Sequence, residues 1–156
     1  MDIFINITTD DFDVGQEYQK LIDANHQDGA AVFFVGRVRA DDSSKPVQKL
    51  ELEHYPAMTK KALMQIAEKA GERWSVNQVR IWHRVGEIHL GEQIVFVGVS
   101  SRHRQSAFES AQFIMDYLKV EAPFWKKEYT ADGEKWVEQA DKDIKASQNW
   151  AVESPE

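Results

Sequence analysis

A chain of 156 residues with 42% hydrophobic and 11% aromatic side chains has the size of one domain with a core of its own. It has no cysteine, which excludes disulfides, thiolate metal ligands and a cysteine nucleophile or persulfide carrier, so any sulfur it handled would have to arrive on another molecule. The net charge of -7 is unevenly placed: residues 1–28 hold seven acids and one base, residues 131–156 seven acids and three bases, and residues 29–130 fifteen bases and twelve acids, a distribution that argues against nucleic acid and for a compact anion pocket in the basic middle.

Taken in chain order, Ile3, Ile5 and Ile7 alternate with Phe4 and Asn6 and predict a strand. Asp13 precedes Val14, Tyr18, Leu21 and Ile22, a short amphipathic helix with an acidic start. Ala30 to Arg39 reads as a buried strand whose end turns basic, followed by a polar loop from Ala40 to Pro46. Leu50 to His54 alternates as a strand with one solvated face. Beyond Pro56, the positions Leu63, Ile66, Ala67 and Ala70 mark a helix expected to stop near Gly71. Val79, Ile81, His83 and Val85 alternate again, Gly86 to Gly91 turns the chain, and Ile94 to Val99 is apolar throughout, as a central strand would be.

Ser106 and Glu109 have the spacing of a capping box, and Phe108, Ala111, Met115 and Leu118 continue as a helical stripe to about Val120. Pro123 blocks continuation. Phe124 to Tyr129 and Lys135 to Val137 flank Asp132-Gly133 as a closing hairpin, and a short helix to Trp150 would precede a frayed tail at 151–156. The expectation is a single α+β domain over 1–150, with a mixed or antiparallel sheet and packed helices. No apolar run approaches the ~20 residues of a membrane span, and no signal-peptide pattern opens the chain, so the cytoplasm is the expected compartment.

The cations are the chemistry-bearing groups. With Ser106 as N-cap, His103 and Arg104 would lie in the loop feeding a helix N-terminus, where free N–H groups favour an anion and a guanidinium binds phosphate in two places. A surface arginine beside a backbone-bonded histidine is the plainer alternative. Lys119 falls in the last helical turn, where the dipole alone favours a cation, which leaves a structural role open. Lys126 sits among aromatics, and a desolvated lysine near other cations has a lowered pKa suited to acid, base or nucleophile work. Lys127 would face the other way. Arg37 and Arg39 share a face at a strand end with Val38 opposed, and either an anion or Asp41 and Asp42 could hold them together. From Ser106 to Lys119 is about 20 Å of helix at ~1.5 Å per residue, so His103, Arg104 and Lys119 can serve one small ligand only if a second copy of the chain supplies one end. The five histidines have no HxH or HExxH spacing, no metal or cofactor is expected, and phosphate-loop and hydrolase-elbow motifs are absent.

Glu53-His54-Tyr55-Pro56-Ala57-Met58-Thr59, His83-Arg84-Val85-Gly86-Glu87, Phe96-Val97-Gly98-Val99-Ser100, His103-Arg104-x-Ser106-Ala107-Phe108 and Pro123-Phe124-Trp125-Lys126-Lys127-Glu128 follow one another in an order that resembles the large, catalytic subunit of molybdopterin synthase, from about residue 12 to Trp150. The resemblance implies an α/β-hammerhead fold. It also implies sulfur transfer from the Gly-Gly thiocarboxylate of a small ubiquitin-like subunit to cyclic pyranopterin monophosphate, within a heterotetramer built on a homodimer of this chain. On the matching positions it implies Arg39, Lys119 and Lys126 in the catalytic pocket, with Arg37, Val38, His103, Arg104, Lys127 and Glu128 contacting substrate. The chain departs from the pattern at Ala57, where a glycine is expected, in the loop Ala40–Pro46, which lacks the expected Asn, His and Gly, and at Ala140, where a basic residue is expected. A non-catalytic dimeric scaffold for a ubiquitin-like partner and an unrelated phosphate-ester enzyme are the alternatives from other classes.

Overall fold

The computed structural model describes residues 1–40, 46–137 and 140–152, without the side chains of 151 and 152. In chain order the elements are β1 (Asp2–Thr8), α1 (Val14–Ile22), β2 (Ala30–Arg37), β3 (Lys49–His54), α2 (Pro56–Arg73), β4 (Val76–Arg84), β5 (Gly86–His89), β6 (Gln93–Ser101), α3 (Arg104–Glu121), β7 (Phe124–Thr130), β8 (Gly133–Val137) and α4 (Asp141–Val152). The first sheet runs β1-β4-β6-β2 and the second β5-β3-β7-β8. Only the β1–β4 pairing is parallel among those described. The result is α+β with packed helices, as expected, the strands being divided between one mixed and one antiparallel sheet.

The period-two pattern of β6 explains the layering. Val95, Val97 and Val99 pack with Leu63 and Ile66 of α2 and Ile114 of α3 in the main core. Phe96 and Gly98 face the other way, toward α1: a Cβ at Gly98 would lie 2.8 Å from Phe96 Cε1 and 3.0 Å from Leu21 Cδ2, so the helix sits as close as it does because that position is glycine. α1 begins where the sequence places it, with Asp13 Oδ1 accepting from the Gln16 N–H at 2.9 Å.

The second sheet covers a smaller core of Val38, Val47, Leu50, Leu52, Val85 and Ile88. Ile7, Ile94 and Phe124 pack against both cores and join the sheets. On β7, Lys126 pairs with Leu52 and Lys127 with Glu51, so the inner face carries Phe124, Lys126 and Glu128, and the outer face Trp125, Lys127 and Tyr129.

Five sequence expectations change. The capping box does not form: β6 runs to Ser101 and α3 starts at Arg104, with extended His103 as its N-cap, while Glu109 accepts from Trp74 Nε1 and Gln105 Nε2 instead. α2 passes through Gly71 to Arg73, because that glycine is where Met1 packs against the helix and is no stop. The stretch after Val85 is a short edge strand, β5, before the chain turns at Gly91 (φ +84°). β2 ends at Arg37, where a bulge shifts its register against β6, so Val38 and Arg39 lie past the strand. At the other end α4 continues through Val152, and residues 153–156 of the expected tail lie outside the described residues.

Candidate active site

Lys119 is the cation in the last turn of α3, following buried Leu118. Solvent reaches its side chain, yet surrounding protein and then the Lys126 ammonium push its pKa below the ordinary lysine value. Lys142 adds to this and Asp143 opposes it, which puts the first turn of α4 at the same place. Because water has access, the depression is a bias toward the free amine and not a full neutralisation. α4 is held there by its far end: Trp150 Nε1 donates to Asp116 Oδ2 at 2.6 Å, and Arg73 Nη1 donates to Trp150 O at 3.0 Å.

Close to Lys119 lies His83 of β4, buried, its Nδ1 2.8 Å from Arg84 O. A carbonyl only accepts, so Nδ1 carries the proton. Burial lowers the His83 pKa to about 4, with Lys119 and His54 adding to the effect, and the ring is neutral. The site therefore draws on α3, β7, β4 and α4, with two lysines in mutual opposition and a neutral imidazole near Lys119. Such a place attracts an anion and presents an amine that gives up its proton more readily than a free lysine.

The other residues singled out in the sequence are spread differently. Glu128 shares the inner face of β7 with Lys126. Lys127, on the outer face, lies 4.5 Å over the Trp136 ring and 3.7 Å from Glu134. Arg37 donates from Nε and Nη2 to Gly91 O, at 3.1 and 2.9 Å, and so clamps the turn between β5 and β6. Val38 is buried in the smaller core, its N–H and C=O bonded to Glu92 O and Gly91 N. Arg39 is exposed beside Ala40, and residues 41–45 of the loop, including Asp41 and Asp42, lie outside the described residues. His103 and Arg104 are exposed at the start of α3, about 22 Å from Lys119 along a helix rising ~1.5 Å per residue. One chain does not bring these two ends together.

Sequence reasoning missed Lys142 and Asp143, which sit in an acidic terminal segment, and read His83 only as one of the alternating positions of a strand. Its alternation on β4 was legible; its place near Lys119 depends on how α3 crosses the sheet. A further feature lies on the outer face next to Lys126. Tyr55 and Trp125 meet edge to face at 5.0 Å, and with Glu53, His54 and Trp136 they line an open cavity of about 280 Å³. Tyr55, Met58, Trp125 and Trp136 are 44–62% exposed, a concentration of apolar surface that marks an interaction site.

No group of three or more His, Asp or Glu able to hold a metal occurs among the described residues, and no described helix is long and apolar enough to cross a membrane. A family model described as MoaE protein matches residues 7–121. The molybdopterin synthase catalytic subunit of Vibrio cholerae serotype O1 is 49% identical over 150 residues, covering 96% of this chain and 99% of that protein. The solved MoaE protein of Burkholderia ambifaria MC40-6 has a TM-score of 0.82 at 50% identity, over 96% of this chain and 99% of that one. A Helicobacter pylori structure, described as a complex of subunits 1 and 2 of molybdopterin-converting factor, shares the fold at a TM-score of 0.69 and 23% identity over 88% of this chain and 90% of that one. Half of all positions are thus kept over nearly the full length of two relatives, and the chain belongs to the MoaE family, the catalytic subunits of molybdopterin synthase.

Proposed function

We propose that this chain moves sulfur from the C-terminal thiocarboxylate of a small ubiquitin-like carrier to cyclic pyranopterin monophosphate, forming the molybdopterin dithiolene. The observation that carries the mechanism is the coupled pair Lys119 and Lys126 in a protein without cysteine. Both reactants are anions, the sulfur must come on a second protein, and the developing negative charge needs fixed cations. Lys119 is the acid–base or nucleophilic amine at the carrier's terminal carbonyl. Lys126 and Arg39 hold phosphate and stabilise charge, and Lys142 supplies the positive charge that Ala140 lacks.

His103 and Arg104 reach a neighbouring pocket from a second copy of the chain, which makes the site composite and the assembly a central homodimer with one carrier at each end. We assign the outer aromatic patch to the body of the carrier, one residue along β7 from Lys126, with the carrier's tail turning inward to the lysines. Lys127, held over Trp136, then supports the docking face and not the chemistry. The reaction belongs in the cytoplasm.

The test is reconstitution with cyclic pyranopterin monophosphate and thiocarboxylated carrier, with dithiolene read by mass spectrometry. Product with the thiocarboxylate form and none with the carboxylate form is expected. A folded, carrier-binding dimer that yields no product would instead favour the scaffold. Trp125→Ala is expected to weaken carrier binding about 10- to 100-fold by titration, as loss of an interface aromatic does, with the rate at saturating carrier little changed. Unaltered affinity would move the docking face elsewhere.

A further inference from the structure

Six residues separate Lys119 from Lys126, and the later part of that segment is gripped by rings. The Phe124 ring stacks on His83 with centroids 3.9 Å apart and planes 15° apart, and on His54 at 6.3 Å and 28°. His83 belongs to the first sheet, and His54 and Phe124 to the second. Phe124 packs against both cores. The backbone on either side is pinned too, since Phe124 N donates to Ala122 O at 2.8 Å and Thr59 Oγ1 to Pro123 O at 3.2 Å.

We infer that His83 is a positioning residue for the lysine pair: its neutral ring, oriented by the Nδ1–H bond to Arg84 O, holds Phe124 and through it sets where Lys126 stands relative to Lys119. A phenyl ring in its place would stack but lose the anchor, and an aliphatic side chain would lose both. The groups that face this arrangement are known from each packed element: Lys119 on α3, His54 on β3, Lys126 on β7, and Lys142 and Asp143 on α4. Protonated His83 would bring a buried positive charge against Lys119, so the geometry depends on the ring staying neutral, which its burial ensures at ordinary pH.

The consequence for catalysis rests on the sulfur-transfer reading, but the structural claim has its own readout. In His83→Ala, water enters beside Lys119 and Lys126 loses its register. The Lys119 pKa, followed by side-chain NMR of labelled lysine, is expected to rise toward the ordinary lysine value. kcat should fall on the order of 100-fold, the cost of a misplacement of about 1 Å, with KM and carrier affinity changed far less. His83→Phe should fall between wild type and His83→Ala in both readouts.

A lower Tm with Lys119 titration and pH–rate profile both unmoved would make His83 merely structural and overturn the inference. Should His83→Ala not fold, Phe124→Leu cuts the same stack from the other ring, and an unmoved Lys119 titration there overturns it equally. If wild type itself makes no dithiolene, the sulfur-transfer reading fails while the NMR titration still decides the role of His83.

Discussion

Lys119→Ala is expected to slow dithiolene formation roughly 10³-fold, the scale of a lost acid–base group, with melting temperature and carrier affinity close to wild type. The side chain is solvent-accessible, so its removal leaves no cavity in the core, and the loss should be confined to chemistry. Its lowered pKa gives the expected pH dependence a sign. Acting as a free amine, Lys119 makes the rate climb with pH through that lowered pKa and level off above it. Removing the neighbouring cation in Lys126→Met relieves part of the depression and moves the climb to higher pH, on top of any loss of phosphate binding. Stability follows the same linkage: between the lowered folded value and the ordinary value of 10.5 the unfolded chain binds more protons, so stability rises with pH across that window. Rate profiles for wild type and both variants, taken at saturating carrier, check these statements. Retention of more than a tenth of the wild-type rate in Lys119→Ala would remove it from the chemistry.

The largest stability effect is expected on the opposite face of the first sheet. Glu17, 2% exposed in the first turn of α1, accepts from Arg80 Nε at 3.0 Å and from Nη2 at 3.4 Å. The Arg80 guanidinium lies 3.8 Å over the Phe4 ring and has little contact with water. Truncating one partner of a buried pair leaves the other charge uncompensated, which costs about 3–5 kcal/mol. Arg80 retains some exposure, so Glu17→Ala should lie near the lower end and lower Tm by about 6–12 °C in a domain of this size. The double change Glu17→Leu with Arg80→Met should recover most of this, because the loss comes from a stranded charge and not from a missing attraction. Thermal melts of the three proteins measure it, and a shift under ~2 °C in Glu17→Ala would contradict the burial argument. The lysine site, on the α3 side, should keep its activity in the folded fraction.

Local features were legible in the sequence where the deciding atoms are neighbours in the chain. Asp13 caps α1 because its carboxylate meets a backbone N–H three residues on. Lys126 and Lys127 face opposite ways because a pleated strand leaves no other choice. Ser106 and Glu109 had the right spacing and failed, because the end of β6 decides where α3 begins, and Trp74 just past α2 claims Glu109. β5 was read as a turn because four residues at a sheet edge carry too little pattern to stand out. The resemblance brought Lys119 and Lys126 together ahead of the fold. His83, Lys142 and Asp143 needed the fold itself, since each comes near Lys119 by the crossing of elements distant in sequence.

The order of strands in the two sheets has a consequence for how the chain emerges during synthesis. All four strands of the first sheet, β1, β2, β4 and β6, have been made once Ser101 is added. In the second sheet β7 is one of two inner strands, yet it follows its neighbour β3 by some seventy residues and comes after α3 as well. Until Phe124–Thr130 leaves the ribosome, one edge of β3 stays open and the small core around Leu50 and Leu52 has no Phe124 to close it. Nascent chains stalled before Phe124 should therefore carry a protease-resistant first sheet with a cleavable β3, and such a bare edge is the point at which a helper protein would be needed. Lys119 and Lys126 come together only at the end of this sequence, so the lysine pair is assembled last.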